Sequence, residues 1–176
     1  MAFTDPEKNV AELHLRDGMI IADFGAGMGA HATAAGKRVG DHGRVYAIEV
    51  QRDFLQNIKT AAREAKLANI DVIWGDIEVL HGTKIADNSV DAVMMTNIFF
   101  QVEDNKIMLT EAFRILKKGG KALVVDWTDS FGGLGPHPRD VIVEQAAKRM
   151  LGETGFAVER TFPAGDHHYG IIAIKP

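Results

Sequence analysis

Five apolar runs of strand length alternate with stretches of helical periodicity along this 176-residue chain. This alternation constrains the fold more than any other feature, because strands separated by helices must return to the same sheet edge and run parallel. The runs are Met19–Phe24, Arg44–Val50, the "NIDVIWGD" stretch at 69–76, the "SVDAVMMTNIFF" stretch at 89–100, and Lys121–Trp127. Two more strands, "FAVERTF" and "HHYGIIAIKP", follow at the end, joined only through Pro163-Ala164-Gly165-Asp166. So few residues cannot hold a crossover helix, so these two pair antiparallel.

Helical signals fill the gaps. Asp5-Pro6-Glu7 offers an N-cap, a proline at the first helical position and an acid near the positive dipole end, predicting a short helix to about Leu15. Further helices are predicted over His31–Val39, Asp53–Leu67, Glu103–Leu116 and Pro138–Leu151, the fourth closed by Lys117-Lys118-Gly119-Gly120. "GDHG" at Gly40–Gly43 is a turn, and "SFGGLGPHP" is a loop. No linker or repeat interrupts the pattern, and the length suits one domain spanning 1–176.

Composition removes several classes. With no cysteine there is neither a disulfide nor a thiolate metal site, and no metal motif is found. His167 and His168 are adjacent on a strand and so point to opposite faces. No apolar run reaches the roughly 20 residues of a membrane span, and the first residues lack the pattern of a secretory signal. The expectation is a cytoplasmic protein. The formal charge is −4, which disfavours a nucleic-acid partner. The basic group Arg114, Lys117, Lys118 and Lys121 lies at a helix end, where cations complement the dipole anyway.

The first strand ends on an acid, and three glycines follow at every second position: "ADFGAGMGAHA". A glycine turn opening a helix presents free N–H groups to an anionic or polar ligand. Two motifs fit it. Gly25, Gly27 and Ala30 complete G-x-G-x-x-[G/A], the dinucleotide fingerprint, with Glu49 at ribose distance. Asp23, Gly25, Gly27 and Gly29 complete [D/E]-x-G-x-G-x-G.

The second pattern is the first motif of the class I S-adenosylmethionine-dependent methyltransferases, which the chain resembles over nearly its whole length. Asp23 stands where a dinucleotide fold has an apolar residue, and Gly75-Asp76 ends the third strand. "DNSVDAVMMTNIFFQVED" and "RILKKGGKALVVD" resemble that family's fourth-motif and fifth-strand segments. Neither Tyr46 nor Tyr169 is followed four residues later by lysine, so the short-chain dehydrogenase pair is missing. A nicotinamide-dependent oxidoreductase and a non-catalytic partner subunit are the competing readings.

The resemblance implies a doubly wound α/β fold with a mostly parallel seven-stranded sheet, order 3-2-1-4-5-7-6, strand 7 antiparallel. It implies S-adenosylmethionine as cofactor, with Glu49 on the ribose hydroxyls and Asp76 on the adenine amino group. Ile77 lies against the ring, and Val50 and Ala26 belong to the same seat. Asp23, Gly25, Gly27 and Gly29 order the methionine end, with Asn97 near the methyl donor. The nearest group is the type 11, ubiquinone/menaquinone-biosynthesis-like one. The histidine-containing stretch that this group often carries is replaced here by Phe99, Phe100 and Gln101. Trp74 is a core residue or an adenine neighbour, and Trp127, with Asp126 and Asp129, a wall for substrate.

Methyl transfer needs alignment above all, and a base where the nucleophile is protonated. His31, after the glycine loop, and His137, after the fifth strand, are the base candidates; Asn97 is a third catalytic candidate. Residues 1–17 would form a partial lid. Because the sheet consumes most of the chain, the acceptor is expected to be a protein side chain, or a small molecule or lipid, ahead of RNA. A homodimer could complete the pocket.

Overall fold

A computed structural model describes residues 4–176. Seven strands form one sheet in the order β3-β2-β1-β4-β5-β7-β6. They are β1 (Ile20–Phe24), β2 (Arg44–Glu49), β3 (Ile70–Trp74), β4 (Val90–Thr96), β5 (Leu116–Trp127), β6 (Ala157–Gly165) and β7 (His168–Ile174). The first five are parallel, and β7 runs antiparallel between β5 and β6. The expected order and the reversed last strand are both present.

Period-two alternation sorts the strand residues onto two faces. Ala22, Phe24, Val93, Met95, Ala122, Val124, Ile171 and Ala173 pack toward α4 (Asn105–Ile115) and α5 (Glu144–Thr154). Ile21, Ala92, Met94, Leu123, Val125 and Ile172 pack toward α1 (Pro6–Ala11), α2 (Ala30–Val39) and α3 (Arg52–Glu64). The centre of the sheet is covered on both sides, which is why its strands read as continuous apolar runs.

Several boundaries differ from the sequence reading. Strands β3 and β4 stop at Trp74 and Thr96, short of Asp76 and Phe100, and α3 stops at Glu64, short of Leu67. Helix α1 stops at Ala11, and His14 takes a left-handed φ of 52°. Lys117–Gly120 belongs to β5, which starts directly after α4 and carries a register shift opposite Val90 and Ala92. The expected helix from Pro138 is instead a single 3₁₀ turn, Pro138–Asp140. The chain is then held extended where Tyr169 Oη donates to the Ile142 carbonyl at 2.8 Å, and α5 begins only at Glu144. The last hairpin turns at Asp166-His167, because pairing continues through Pro163 to Gly165.

The basic group is mostly neutralised locally. Arg114 pairs with Glu111 and Asp87, Lys117 with Asp91 at 2.7 Å, and Lys121 with Glu159 at 3.4 Å. Among the described residues, no helix is long and apolar enough to cross a membrane.

Candidate functional site

The carboxyl ends of β1, β2, β3 and β4 open into a cleft of 490 Å³, a size typical of small-molecule sites. The floor is the glycine turn between β1 and α2. Gly25, Gly27 and Gly29 have φ of 66°, 53° and 83°, where a side chain is strained. At Gly25 a Cβ would also stand 2.6 Å from Ile98 Cδ1. The turn is laced to the end of β2, with the Ala26 N–H donating to the Ile48 carbonyl at 3.0 Å.

Glu49 does the same work from its side chain. It is buried, at 6% exposure, and each carboxylate oxygen accepts one backbone N–H. Gly27 donates to Oε2 at 3.0 Å and Gln51 to Oε1 at 2.9 Å. A carboxylate oxygen has two lone-pair directions, so both oxygens retain one for a ligand.

Asp23 lies beneath the turn. It is 1% exposed, and neither carboxylate oxygen has a well-formed hydrogen bond, the Ala32 N–H reaching it only weakly. Burial pushes its carboxyl up to about 7, against a backbone contribution from Ala32 and with the Glu49 charge acting in the same direction. A buried carboxylate this poorly partnered is costly, and an arriving cationic group would offset part of that cost.

His31 is in the first turn of α2 and is buried, where an exposed histidine is the ordinary expectation. Its Nδ1 lies 3.3 Å from Thr96 Oγ1, and its Nε2 has no partner. Burial pushes its pKa down to about 4. Asn97 follows β4 in a left-handed conformation, φ 54°, which asparagine tolerates better than most side chains. Its N–H donates to the Val125 carbonyl, its carbonyl accepts from Gln101 Nε2 at 2.6 Å, and its Oδ1 is buried without a partner. Asp126, at the end of β5, sets this corner by accepting the N–H groups of Ile98 and Phe99.

The β3 side is a turn rather than strand. Asp76 stands two residues past β3, and its Oδ1 accepts the Glu78 N–H at 2.9 Å. Ile77 and Val50 line the cleft with it. Glu111 of α4 holds this turn from outside. Its carboxylate accepts the His81 N–H and the Thr83 hydroxyl, and pairs with Arg114. Its burial acts to raise its pKa, but the bonds from Arg114, Thr83 and His81 outweigh that and bring it to about 2.

The structure therefore gathers Gly25, Ala26, Gly27, His31, Glu49, Val50, Asp76, Ile77 and Asn97 around one cleft, with Asp23 and Gly29 immediately behind it. It does not bring His137 there. That residue is exposed outside the cleft, where its Nδ1 accepts the Arg139 N–H at the start of the 3₁₀ turn. Trp74 is neither core nor cleft: it is half exposed, with Arg52 4.4 Å and Lys84 5.3 Å from its ring centre. Trp127 packs on His168, 4.3 Å between ring centres, away from the cleft.

Thr4, Pro6, Phe54 and Glu78 also line the cleft and carry no motif signal, and Met28 and Gln101 line it from within the glycine motif and the Phe99–Gln101 stretch. Glu78 was findable only through its role, since its Oε2 accepts the Glu103 and Asp104 N–H groups at the start of α4.

Residues 15–156 match a family described as "Methyltransferase domain". The chain belongs to the S-adenosylmethionine-dependent methyltransferases. A solved structure of a SAM-dependent methyltransferase from Aquifex aeolicus superposes with a TM-score of 0.89 at 28% identity, covering 99% of this chain and 91% of that one. A probable cobalt-precorrin-6B C(15)-methyltransferase of Sulfurisphaera tokodaii is 30% identical over 65% of this chain and 57% of its own length. A ubiquinone/menaquinone biosynthesis C-methyltransferase of an Enterobacter species is 30% identical over 65% of this chain and 45% of its own. The chain thus spans about half the length of these curated relatives.

The residues present fit the family's cofactor. Glu49 has two vacant acceptor directions for a vicinal diol, and Asp23 is a buried carboxylate lacking a cation.

Proposed function

We propose that this chain binds S-adenosylmethionine in the cleft above the glycine turn and transfers its methyl group to an acceptor that enters beside Thr4 and Gln101. The observation that carries this is Glu49: a buried carboxylate whose two oxygens are each half-satisfied by the Gly27 and Gln51 amides, and so are fixed in place for a diol. The bound cofactor supplies a methyl carbon already activated by a sulfonium sulfur.

The chain's own residues then have to orient and desolvate. Glu49 accepts both ribose hydroxyls, and Asp76 uses its oxygen not taken by Glu78 to accept the adenine amino group. Ile77 packs on the ring. The first-turn amides of α2, which have no intrahelical partners, receive the cofactor carboxylate, and Asp23 balances its ammonium. Asn97 and His31 line the space beyond. Thr4 and Pro6 form the near wall, on a segment fastened where Lys37 and Arg38 pair with Glu7 and where Arg160 pairs with Glu12.

The relatives named above are a probable cobalt-precorrin-6B methyltransferase and a methyltransferase of ubiquinone/menaquinone biosynthesis, which supports a small-molecule acceptor. Native mass spectrometry of the purified chain, with calorimetry, tests the reading. The expected result is co-bound S-adenosylmethionine or its demethylated product, and micromolar binding of the former. Binding of a nicotinamide dinucleotide in its place refutes it.

A further inference from the structure

The open edge of the sheet carries an apolar and cationic band for which the cleft chemistry has no use. Strand β3 pairs only with β2, and Ile70, Val72 and Trp74 alternate onto the face that α3 covers. Along α3, Arg52, Lys59 and Arg63 recur at intervals of seven and four, which aligns them on one side of the helix. Lys66 follows just past its end. All four are exposed, and among the described residues none is in an ion pair. The acids of α3, Asp53 and Glu64, stand roughly 100° or more round the helix from that line, and Asp71 of β3 is taken by Arg44 at 2.7 Å. Between helix and strand is a hollow of 380 Å³ whose lining joins Leu67, Ile70 and Val72 to Lys59, Arg63 and Lys66 and includes no acid.

At the carboxyl end of β3 the band becomes more apolar. Val50, Trp74, Val79 and Leu80 are each about half exposed. The Trp74 indole N–H donates to the Val50 carbonyl at 3.1 Å, so the polar atom of the ring is satisfied and its apolar part meets solvent. Arg52 and Lys84 lie 4.4 and 5.3 Å from the ring centre. Exposed aliphatic side chains, an indole and unpaired cations on one edge make up a surface suited to an anionic bilayer. There aliphatic groups enter the acyl boundary, tryptophan takes the headgroup level and cations meet lipid phosphates. Other occupants suit the edge less well. A two-fold contact with a second copy would set the cationic line against itself. A nucleic-acid strand would leave Val50, Val79 and Leu80 in water, and one ring does not make a run of stacking platforms. An added strand is blocked at the end of β3, where Lys84 donates to the Trp74 carbonyl at 2.7 Å.

We infer that this edge docks the chain on a bilayer of anionic phospholipid. Val50, Trp74, Val79 and Leu80 meet the acyl boundary, and Arg52, Lys59, Arg63, Lys66 and Lys84 meet the headgroups. The formal charge of −4 is a sum over the whole surface, whereas contact with a membrane is set by the charge of the face that approaches it. Val50 also lines the cleft, so a docked bilayer lies beside the cleft mouth.

The test mixes the purified full chain with vesicles of phosphatidylglycerol and phosphatidylcholine in equal parts, or of phosphatidylcholine alone, and measures co-sedimentation. Binding is expected to the anionic vesicles only, with release at high salt. Lys59→Ala with Arg63→Ala should weaken vesicle affinity about fivefold for each cation removed, and Leu80→Ser about fivefold. These three residues lie outside the cleft lining, and circular dichroism checks that each variant keeps its fold. Brominated acyl chains should quench tryptophan emission in the parent chain and leave Trp74→Phe unquenched, a readout that needs no charge variant. Absence of binding to anionic vesicles, equal binding to neutral ones, or unchanged affinity in the double variant overturns the inference. So does tighter binding of a labelled single-stranded RNA oligonucleotide with the same losses, or a dimer in sedimentation that the same substitutions abolish. No cofactor enters these measurements, so the methyltransferase reading stands or falls separately.

Discussion

Cofactor affinity should depend on pH through Asp23, and the size of the effect follows from its surroundings. The carboxyl is buried, poorly partnered and held at about 7. An incoming ammonium or sulfonium is stabilised only by the ionised form, so binding below neutrality must first remove a proton. With a pKa of about 7, roughly 9% of the free protein carries ionised Asp23 at pH 6 and roughly 76% at pH 7.5. The dissociation constant should therefore fall about eightfold across that interval, or about 1.2 kcal/mol. His31, at about 4, stays neutral throughout, and the cofactor's own amino group remains largely charged. Isothermal calorimetry in two buffers of unlike ionisation enthalpy would count the released proton directly. Asp23→Asn should bind more weakly at pH 7.5 and lose the dependence. A constant affinity from pH 6 to 7.5, or an unchanged slope in Asp23→Asn, would refute the coupling.

Other perturbations separate the parts of the site. Glu49→Ala should weaken S-adenosylmethionine binding at least about thirtyfold in calorimetry, since two bonds to a charged acceptor are lost, while circular dichroism stays native. Gly25→Ala forces a Cβ into Ile98 at φ 66° and should cost about 1–2 kcal/mol in denaturant unfolding, with weaker cofactor binding. Glu111→Gln should lower stability by about 3 kcal/mol, because Arg114 loses its buried partner. The sign with pH is also fixed: a folded pKa of about 2 against an ordinary value of 4.5 gives Glu111 a contribution that is complete above 4.5 and fades as pH falls toward 2. Acid titration of Glu111→Gln should lack that portion of the loss.

The sheet was legible in the sequence because parallel strands buried on both faces leave continuous apolar runs, as at Met19–Phe24. The 89–100 run is strand only through Thr96, and 97–101 turns out of the sheet although its middle is just as apolar. The acids at strand ends were legible because a carboxylate has no place in such a run unless the chain is leaving it. Four things lay outside reach. The interruption at Val141–Val143 is set by Tyr169, a residue 27 positions away, and local propensity carries no trace of it. The Lys117–Gly120 segment carries a strong helix-stop signal, and backbone bonds of Gly119 and Gly120 to Lys175, just past β7, then recruit it into β5. His137 was placed by its position after the fifth strand, but its ring is spent on the 3₁₀ turn. Glu111 has no motif at all; its importance arises from what α4 meets when it packs.

That outside brace has a consequence for how such a protein can diversify. The wall that would carry adenine is tied to α4 through Glu111 and Glu78, whereas Thr4 and Gln101 border the cleft from outside the glycine turn. Their side chains are held by few polar contacts, Thr4 to Ala164 and Asn9 and Gln101 to Asn97. Variation confined to those two positions would reshape the entrance without disturbing the cofactor's seat. A small library at these sites is a direct route to altered acceptor preference on an otherwise constant chassis.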